Sequence, residues 1–337
     1  MVSRRFGSSA LSVALWGLAA AAPAHAALAQ FKAAGTDSSW RSAAVTALAA
    51  RDEPHSLATA ALLRIDSGAM NLAMRAANLS PDDTTIGWVA LRVCAMTPGC
   101  DIRGYATELR WLDPNNSAAW LPTLAAALRD RDSVETDRVL AHMARGTSVD
   151  FYWNGIIVTM FDALRAVAAR IPGRAVDSDA ARLAFVERLA SAEIVPPLSP
   201  LISVCGEAKH GTPRRDACVA IAKILQRSDT VDAQYAGLAI AKRYARYDGR
   251  EFRALAERRR VLQWRVTTAA QFDSPLLPWL KSAHARWRLG RMRALSRQED
   301  VVMAVLREQG LPLDPPPPPP PPTPPPTPPE PLHLRLP

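Results

Sequence analysis

The sequence predicts an all-α protein, a superhelix of stacked antiparallel helical hairpins that is followed by a proline-rich, disordered tail. Apolar residues recur at the three- and four-residue spacing of one helix face, as in the segment from Ala58 to Ile65. The alternation of apolar and polar residues that is typical of strands is almost absent. A repeat of about 33 residues that carries proline and tryptophan indicates successive pairs of helices.

The first 26 residues are predicted to be a secretory signal peptide that is removed from the mature protein. Arg4 and Arg5 precede an apolar run over residues 10–22, and Ala-His-Ala at residues 24–26 supplies a cleavage site. An uncleaved membrane anchor is the alternative, but a run of about 13 residues is shorter than the roughly 20 that a membrane span needs. No later segment is long enough and free enough of charge to cross a bilayer.

The signal and the composition together predict a periplasmic or secreted protein of a Gram-negative bacterium. Alanine is abundant and arginine far outnumbers lysine, a bias that is typical of GC-rich bacterial genomes. The formal net charge of +9 becomes +7 when Arg4 and Arg5 are removed with the signal. A basic envelope protein can meet anionic envelope components, although a solvated arginine-rich surface is the alternative. Nucleic acid is not an expected partner in this compartment.

The mature chain is predicted to have three parts. Residues 27–194 form the hairpin repeats, and residues 195–313 form a C-terminal helical region that begins at the proline-rich bend VPPLSPL. Residues 314–337 form the proline-rich tail. Within it, residues 315–329 are predicted to adopt polyproline II, which suits a spacer, a docking peptide or a disordered end.

The repeat is clearest in two segments that share the order Leu, Pro, polar pair and Trp. Pro81 and Pro114 lie 33 residues apart, and Trp88, Trp120 and Trp153 follow one another at 32 and 33 residues. Each proline is expected to end one helix, and the Asp or Asn pair after it to cap the next. We therefore expect Trp88 and Trp120 to be buried at equivalent positions of successive hairpins.

The joint LDPNNSAAW, which contains Pro114 and Trp120, resembles the end of a tetratricopeptide repeat and the start of the following one. The resemblance extends over about residues 56–170. Two features depart from it, because Arg92 stands where the repeat has a small residue and no proline precedes Trp153. The resemblance implies a superhelix of stacked hairpins that offers a concave surface to a protein or a peptide.

The four cysteines predict two disulfide bonds, because an even number in an exported chain is typical of a disulfide framework. Three pairings are possible. The order along the chain favours Cys94 with Cys100 and Cys205 with Cys218, since each pair closes a short polar loop between neighbouring helices. A zinc site is not expected, because no pair of cysteines has the C-x2-C spacing.

Motifs of catalysis are absent from the sequence. It contains no G-x-S-x-G, Walker A loop, G-x-G-x-x-G or H-E-x-x-H. The Glu-Ser dipeptide of lytic transglycosylases, some of which wrap their catalytic domain in a helical superhelix, is also missing. The histidines are isolated from one another. We therefore predict no catalytic residue, no cofactor and no metal ligand.

A basic, aromatic segment near the C-terminal end is the candidate anion-binding face. It places tryptophans 279 and 287 among the candidate cations, which are Lys281, Arg286, Arg288, Arg291 and Arg293. An acidic envelope polymer or a phospholipid headgroup is the partner that this face would bind. The alternative is an amphipathic helix with tryptophan in the core and arginine in solvent.

The function that these patterns favour is a non-catalytic periplasmic scaffold of helical repeats that binds an envelope protein or peptide. One alternative is an envelope enzyme whose site no motif reveals. The other is a protein that binds an anionic envelope polymer through its basic C-terminal helices. A deep pocket with converging titratable groups would favour the enzyme, whereas a shallow, aromatic-lined surface favours a binding protein.

Overall fold

The computed structural model describes residues 38–64, 66–171, 177–272 and 278–317, and within these ranges every regular element is a helix. The all-α class is therefore confirmed for this part of the chain. The predicted signal peptide and the tail beyond residue 317 lie outside the described residues. No helix in the described ranges is both long and apolar enough to span a membrane.

The N-terminal half contains seven α-helices and a 3-10 turn that precedes the sixth. They are α1 Ser38–Ala49, α2 Pro54–Leu63, α3 Gly68–Leu79, α4 Thr84–Met96, α5 Ile102–Leu112, the 3-10 turn Ser117–Trp120, α6 Leu121–Arg129 and α7 Ser133–Met143. Side-chain caps start several of them, and Asp83 accepts hydrogen bonds from the amides of Thr85 and Ile86 at 2.8 and 3.1 Å. Pro81 lies between α3 and α4, and Pro114 lies between α5 and the 3-10 turn.

The C-terminal half contains eight α-helices. They are α8 Trp153–Val167, which a 3-10 turn Ala168–Arg170 extends, α9 Asp179–Glu193, α10 Ser199–Gly206, α11 Pro213–Leu225, α12 Val231–Tyr244, α13 Arg250–Ala270, α14 Pro278–Ala294 and α15 Gln298–Glu308. Thr212 and Thr230 cap α11 and α12. Prolines at the first turns of α2, α6, α10 and α11 suit positions where the amide has no partner within the helix.

Helix α8 lies at the centre of the packing. Consecutive helices from α1 to α5 pack against each other, and α8 then returns to contact α1 and α2 as well as α9 and α14. Its side chains are buried on several sides, and Ile157, Phe161 and Leu164 are completely buried. In a linear array each repeat contacts only its neighbours. The return of α8 to the first two helices departs from that arrangement.

Two smaller apolar clusters hold the C-terminal helices. Leu262 of α13 packs against Val231 and Leu238 of α12. Ala269 of α13 packs with Leu306 of α15 and its neighbours. Because these clusters are small, polar contacts contribute a larger part of the packing of α13 and α15 than of α8.

Both predicted disulfides are present. The sulfur atoms of Cys94 and Cys100 are 1.99 Å apart, and those of Cys205 and Cys218 are 2.04 Å apart. The first bond closes the turn between α4 and α5, and the second joins α10 to α11. No free cysteine remains among the described residues.

Loss of the second disulfide is expected to destabilise the protein. The Cys205→Ala/Cys218→Ala variant releases a loop of 13 residues, which corresponds to about 3 kcal/mol of unfolding free energy when the unfolded chain regains that freedom. Urea unfolding measures the difference. The matched Cys94→Ala/Cys100→Ala variant opens a loop of only 6 residues and should lose less, so the reverse order would contradict the loop-length argument.

Candidate functional site

The arginines of α14, where the anion-binding face is predicted, make contacts within the protein. Three of the five candidate cations pair with carboxylates of α8 and α9, at 3.1, 2.7 and 2.6 Å: Arg286 with Asp179, Arg288 with Glu187 and Arg293 with Asp162. Arg291 lies over the ring of Trp287 at 5.2 Å. Lys281 is on the same helix, and the side chain of Trp279 lies outside the described residues. Carboxylates of α8 and α9 thus already pair with three of these guanidinium groups, and anion binding by α14 stays a prediction.

A buried glutamate gathers three further arginines. Glu299, only 2% exposed, accepts hydrogen bonds at 2.9, 2.8 and 2.8 Å from Arg258, Arg265 and Arg297. This carboxylate joins α13 to the start of α15. Its three partners are therefore already paired within the protein.

The first residues of the predicted tail contact α13. Arg265 donates to the carbonyl oxygen of Leu313 at 2.8 Å and pairs with Asp314 at 3.2 Å. Arg260 donates to the carbonyl oxygen of Pro316 at 3.1 Å. These contacts hold residues 313–316 against α13, and the boundary at residue 314 stays a prediction.

The repeat tryptophans have different surroundings. Trp88 is 0% exposed and lies 5.4 Å from the ring of Phe151, and Trp153 is buried at the start of α8. Trp120 is only partly buried, at the end of the 3-10 turn. Trp88 and Trp120 therefore do not occupy equivalent positions, contrary to the expectation from the repeat. Trp88 is the fifth residue of an α-helix, whereas Trp120 lies just before one.

Trp120 is the centre of a partly exposed cluster of planar and cationic side chains. Its ring stacks on the imidazole of His142 at 4.3 Å and 11°, and the guanidinium carbon of Arg110 lies 4.0 Å from the ring centroid. Arg145 donates to Nδ1 of His142 at 2.5 Å. We call this set the Trp120 cluster, and its members are Arg110, Trp120, Arg138, His142 and Arg145. Stacking and cation–π contacts hold its groups in one arrangement.

The Trp120 cluster carries positive charge. A guanidinium group only donates hydrogen bonds, so Nδ1 of His142 is an acceptor and the imidazole is neutral. Partial burial and the nearby charges of Arg145, Arg138 and Arg110 lower the pKa of His142 below its ordinary value. The surroundings therefore oppose a further positive charge at this position.

Two arginines of the cluster have no carboxylate partner within the described part of the chain. Arg110 donates to the hydroxyl of Thr107 at 2.7 Å, and its Nη1 is buried without a hydrogen-bond partner. Burial and the charge of Arg138 lower the pKa of Arg110. Arg145 contacts His142, and only Arg138 is balanced, by Glu135 at 2.6 Å. The cluster thus presents uncompensated positive charge, and the next residue after Arg110, Trp111, is 79% exposed.

Asn116 and Ser117 fix the turn that carries Trp120. Asn116, which caps the 3-10 turn, donates from its amide to the carbonyl oxygen of Asp150 and to the hydroxyl of Tyr152 at 2.8 and 3.0 Å. Its Oδ1 accepts from the amide of Asp150 at 3.0 Å. Ser117 donates to the carbonyl oxygen of Met143 at 2.7 Å. The cluster is therefore tied to the chain segment that enters α8.

A buried carboxyl group from the loop between α11 and α12 contacts that segment. Asp229, 4% exposed, accepts from the amide of Trp153 at 2.9 Å. Burial, and then the neighbouring Asp150, raise the pKa of Asp229 well above its ordinary value. Tyr152 adopts a left-handed backbone with φ of 56°, a conformation that costs free energy and occurs often at functional positions.

The hydroxyl of Tyr152 is part of the same network. It donates to Oδ2 of Asp113 at 2.7 Å, and burial and this carboxylate raise the pKa of Tyr152. Three aspartates thus lie around one strained residue. No group of three or more His, Cys, Asp or Glu among the described residues is arranged to hold a metal ion.

A shallow groove of about 320 Å³ lies on the other side of α7, between the α6–α7 turn and helices α10 and α11. Leu128, Pro200 and Val204 line it with apolar surface. Arg214 at its edge pairs with Asp137 at 2.5 Å. The groove therefore provides an open surface rather than a deep pocket with converging titratable groups.

No sequence motif predicts the Trp120 cluster, because Arg110 and His142 lie far apart in the chain. The repeat pattern predicts a packing role for Trp120, and the basic, aromatic pattern predicts an anion-binding face on α14 instead of α5 and α7. The available signal is the spacing of Arg138, His142 and Arg145, which lie about one helical turn apart. No protein-family model, no curated protein and no solved structure matches this chain.

Proposed function

We propose that this protein is a non-catalytic scaffold of the bacterial envelope whose Trp120 cluster binds an acidic segment of a partner protein. The observation that carries the proposal is the stack of Trp120 on His142 beneath the guanidinium of Arg110. Arg110 and Arg145 have no carboxylate partner in the described part of the chain, in contrast to the paired arginines of α14. The uncompensated charge favours an anionic partner.

The chemistry of the cluster suits the carboxylates of a peptide. A guanidinium group offers a planar fork of donors that matches a carboxylate. Because stacking already holds these side chains, binding would cost little side-chain entropy. The exposed Trp111 supplies apolar contact area beside the charges, and tryptophan and arginine are the residues that contribute most to protein interfaces.

Other features support a scaffold in the envelope. Two disulfides are typical of proteins in oxidising compartments. The predicted signal peptide and the resemblance to tetratricopeptide repeats favour export and protein binding. The shallow groove beside α7 favours a binding protein over an enzyme. The periplasm is therefore the compartment that we propose.

The proposal predicts saturable binding of an acidic peptide. A synthetic peptide rich in Asp and Glu should bind the intact protein in isothermal titration calorimetry, and more weakly at high salt because screening reduces the attraction. The Arg145→Ala variant should raise Kd about tenfold or more, which corresponds to ~1.4 kcal/mol. Trp120→Ala should weaken binding as well, because the stack then loses its centre.

A matched control separates specific binding from general charge attraction. Arg293→Ala removes the same charge from an arginine that Asp162 already pairs at 2.6 Å, and it should leave Kd unchanged. Equal weakening by Arg145→Ala and Arg293→Ala would reduce the effect to net charge. Absence of saturable binding to the wild-type protein would refute the proposed function.

A further inference from the structure

Helix α13 exposes most of its surface. Of its 21 residues only Leu262 and Ala269 are buried. These two residues pack in the small apolar clusters with α12 and α15, which are the main packing neighbours of the helix. The rest of the helix surface is therefore open to a further segment of chain.

The last described residues of the chain lie against this helix. Arg265 donates to the carbonyl oxygen of Leu313 at 2.8 Å and pairs with Asp314 at 3.2 Å. Arg260 donates to the carbonyl oxygen of Pro316 at 3.1 Å. Side chains of α13 thus hold the start of the proline-rich tail through its backbone carbonyl groups.

The tail runs in the direction opposite to that of α13. Its successive carbonyl contacts, at residues 313 and 316, meet helix residues 265 and 260 in descending order. Five residues of α-helix rise by about 7.5 Å, and three residues of polyproline II rise by about 9 Å. Because the two rises agree to within about 2 Å, an extended proline segment stays level with the arginines of the helix.

Arg253 is the next arginine on the same side of the helix as Arg260. It lies seven residues, or about two turns, earlier in α13, and it is exposed. Its guanidinium group has no hydrogen-bond or ion-pair partner in the described part of the chain. Two turns rise by about 10.5 Å, which is the length of about three residues of polyproline II. A tail that continues in the same direction therefore brings residues 319–320 level with Arg253.

The tail supplies the hydrogen-bond acceptors that an unpaired arginine needs. Residues 315–322 are all proline. Polyproline II forms no internal hydrogen bonds, so each of its carbonyl oxygens stays available to a donor. Proline has no backbone N–H, and a guanidinium group only donates hydrogen bonds. The two surfaces are therefore complementary, with donors on the helix and acceptors on the tail.

An exposed aromatic pair lies at the start of α13, the end towards which the tail points. Tyr247, in the turn before the helix, is 78% exposed, and its ring lies 5.2 Å from that of Phe252. Nζ of Lys242 lies 4.5 Å from the centroid of the Phe252 ring. Polyproline II segments bind to surfaces that aromatic side chains line. This end of α13 therefore carries the type of side chain that such a segment prefers.

We propose that residues 318–322 of the tail dock along α13 as polyproline II, with Arg253 donating to the carbonyl oxygen of residue 319 or 320. The occupant of the open helix surface is thus the tail of the same chain. The docking continues the contacts that Arg265 and Arg260 make. It directs the last residues of the chain past the turn that carries Tyr247. It is independent of the binding that we propose for the Trp120 cluster.

Distances between spin labels in the full chain test the docking. Nitroxide labels are attached to cysteines introduced by Ala270→Cys, at the end of α13, and by Thr323→Cys, since all four native cysteines are in disulfide bonds. A docked tail places the labels on the order of 37 Å apart, the sum of the rises of helix and polyproline II on either side of Arg260. Double electron–electron resonance should show one narrow distribution near this distance. A broad distribution overturns the docking.

Matched arginine variants of the labelled chain identify the contact. Arg253→Ala should broaden the distribution and shift its mean to shorter distances, because the tail then has no hydrogen bond beyond Pro316. Arg259→Ala removes the same charge from the same helix, but Arg259 lies over the ring of Tyr235 at 5.9 Å, so the distribution should stay narrow. Equal broadening by both variants, or by neither, overturns the contact with Arg253. The same narrow distance in a mixture of two singly labelled chains would assign the helix surface to the tail of a second copy and overturn docking within one chain.

Discussion

Glu299→Ala is expected to lower the free energy of unfolding by about 3 to 5 kcal/mol, the typical cost of breaking a buried ion pair from one side. The carboxylate is almost completely buried and accepts from Arg258, Arg265 and Arg297. Its removal leaves guanidinium groups that cannot all reach water, since the side chain of Arg265 is only 12% exposed. It also removes the polar contacts between α13 and α15, where the apolar clusters are small.

Asp314→Ala is the matched control for this variant. Asp314 pairs with the same Arg265 at 3.2 Å, but its side chain is 76% exposed, so its loss should cost less than about 1 kcal/mol. Urea unfolding of both variants measures the two differences in free energy. Equal losses would mean that burial does not set the contribution of Glu299.

Trp88→Ala is expected to lower the free energy of unfolding by about 3 to 5 kcal/mol, because it leaves a cavity the size of an indole in the main core. The side chain is completely buried, and its ring lies 5.4 Å from Phe151 and 6.4 Å from Tyr152. The cavity would therefore open against the segment that enters α8, and α8 contacts more of the fold than its neighbours in sequence do.

The other tryptophans provide the comparison. Trp120→Ala removes a partly buried ring that contacts His142 and Arg110, so it should cost clearly less than Trp88→Ala. Trp111→Ala, at a position 79% exposed, should leave Tm nearly unchanged. Thermal melts of the three variants should rank them in this order. Equal losses for Trp120→Ala and Trp88→Ala would restore the equivalence that the repeat predicts.

Features that depend on neighbouring residues could be predicted from the sequence. The cysteine pairs close loops of 6 and 13 residues, and short loops leave few other partners. Asp83 and Asn116 cap the segments that follow Pro81 and Pro114, because side-chain capping depends on only three or four consecutive residues. The all-α class follows from periodicity over similarly short distances.

Features that depend on partners far apart in the chain could not be predicted. The basic character of α14 is visible in the sequence. The carboxylates that pair with its arginines belong to Asp162, Asp179 and Glu187, and each lies more than a hundred residues from its arginine. Asp229 reaches the amide of Trp153 only because the loop after α11 folds onto the entrance of α8. A charge pattern in a sequence reports the residues and not their partners.

The same limit explains the two tryptophans. Trp88 and Trp120 follow the same order of residues, yet only Trp88 lies inside an α-helix that packs on both sides. Asn115 and Asn116 precede a 3-10 turn instead of an α-helix. At the end of this turn the ring of Trp120 stacks on His142. One turn of different helix type is too small a signal to read from composition.

The return of α8 to α1 and α2 has a consequence for the order in which the chain can fold. The first two helices cannot complete their core until α8 has been synthesised, roughly 100 residues later, which takes about 5 to 20 s at common rates of translation. During that interval their apolar faces stay open to other chains. Contacts of such long sequence separation also slow folding, because loop closure must precede them. A chain that ends before Trp153 would keep those faces exposed and should aggregate, whereas one that includes α8 gives them their partner.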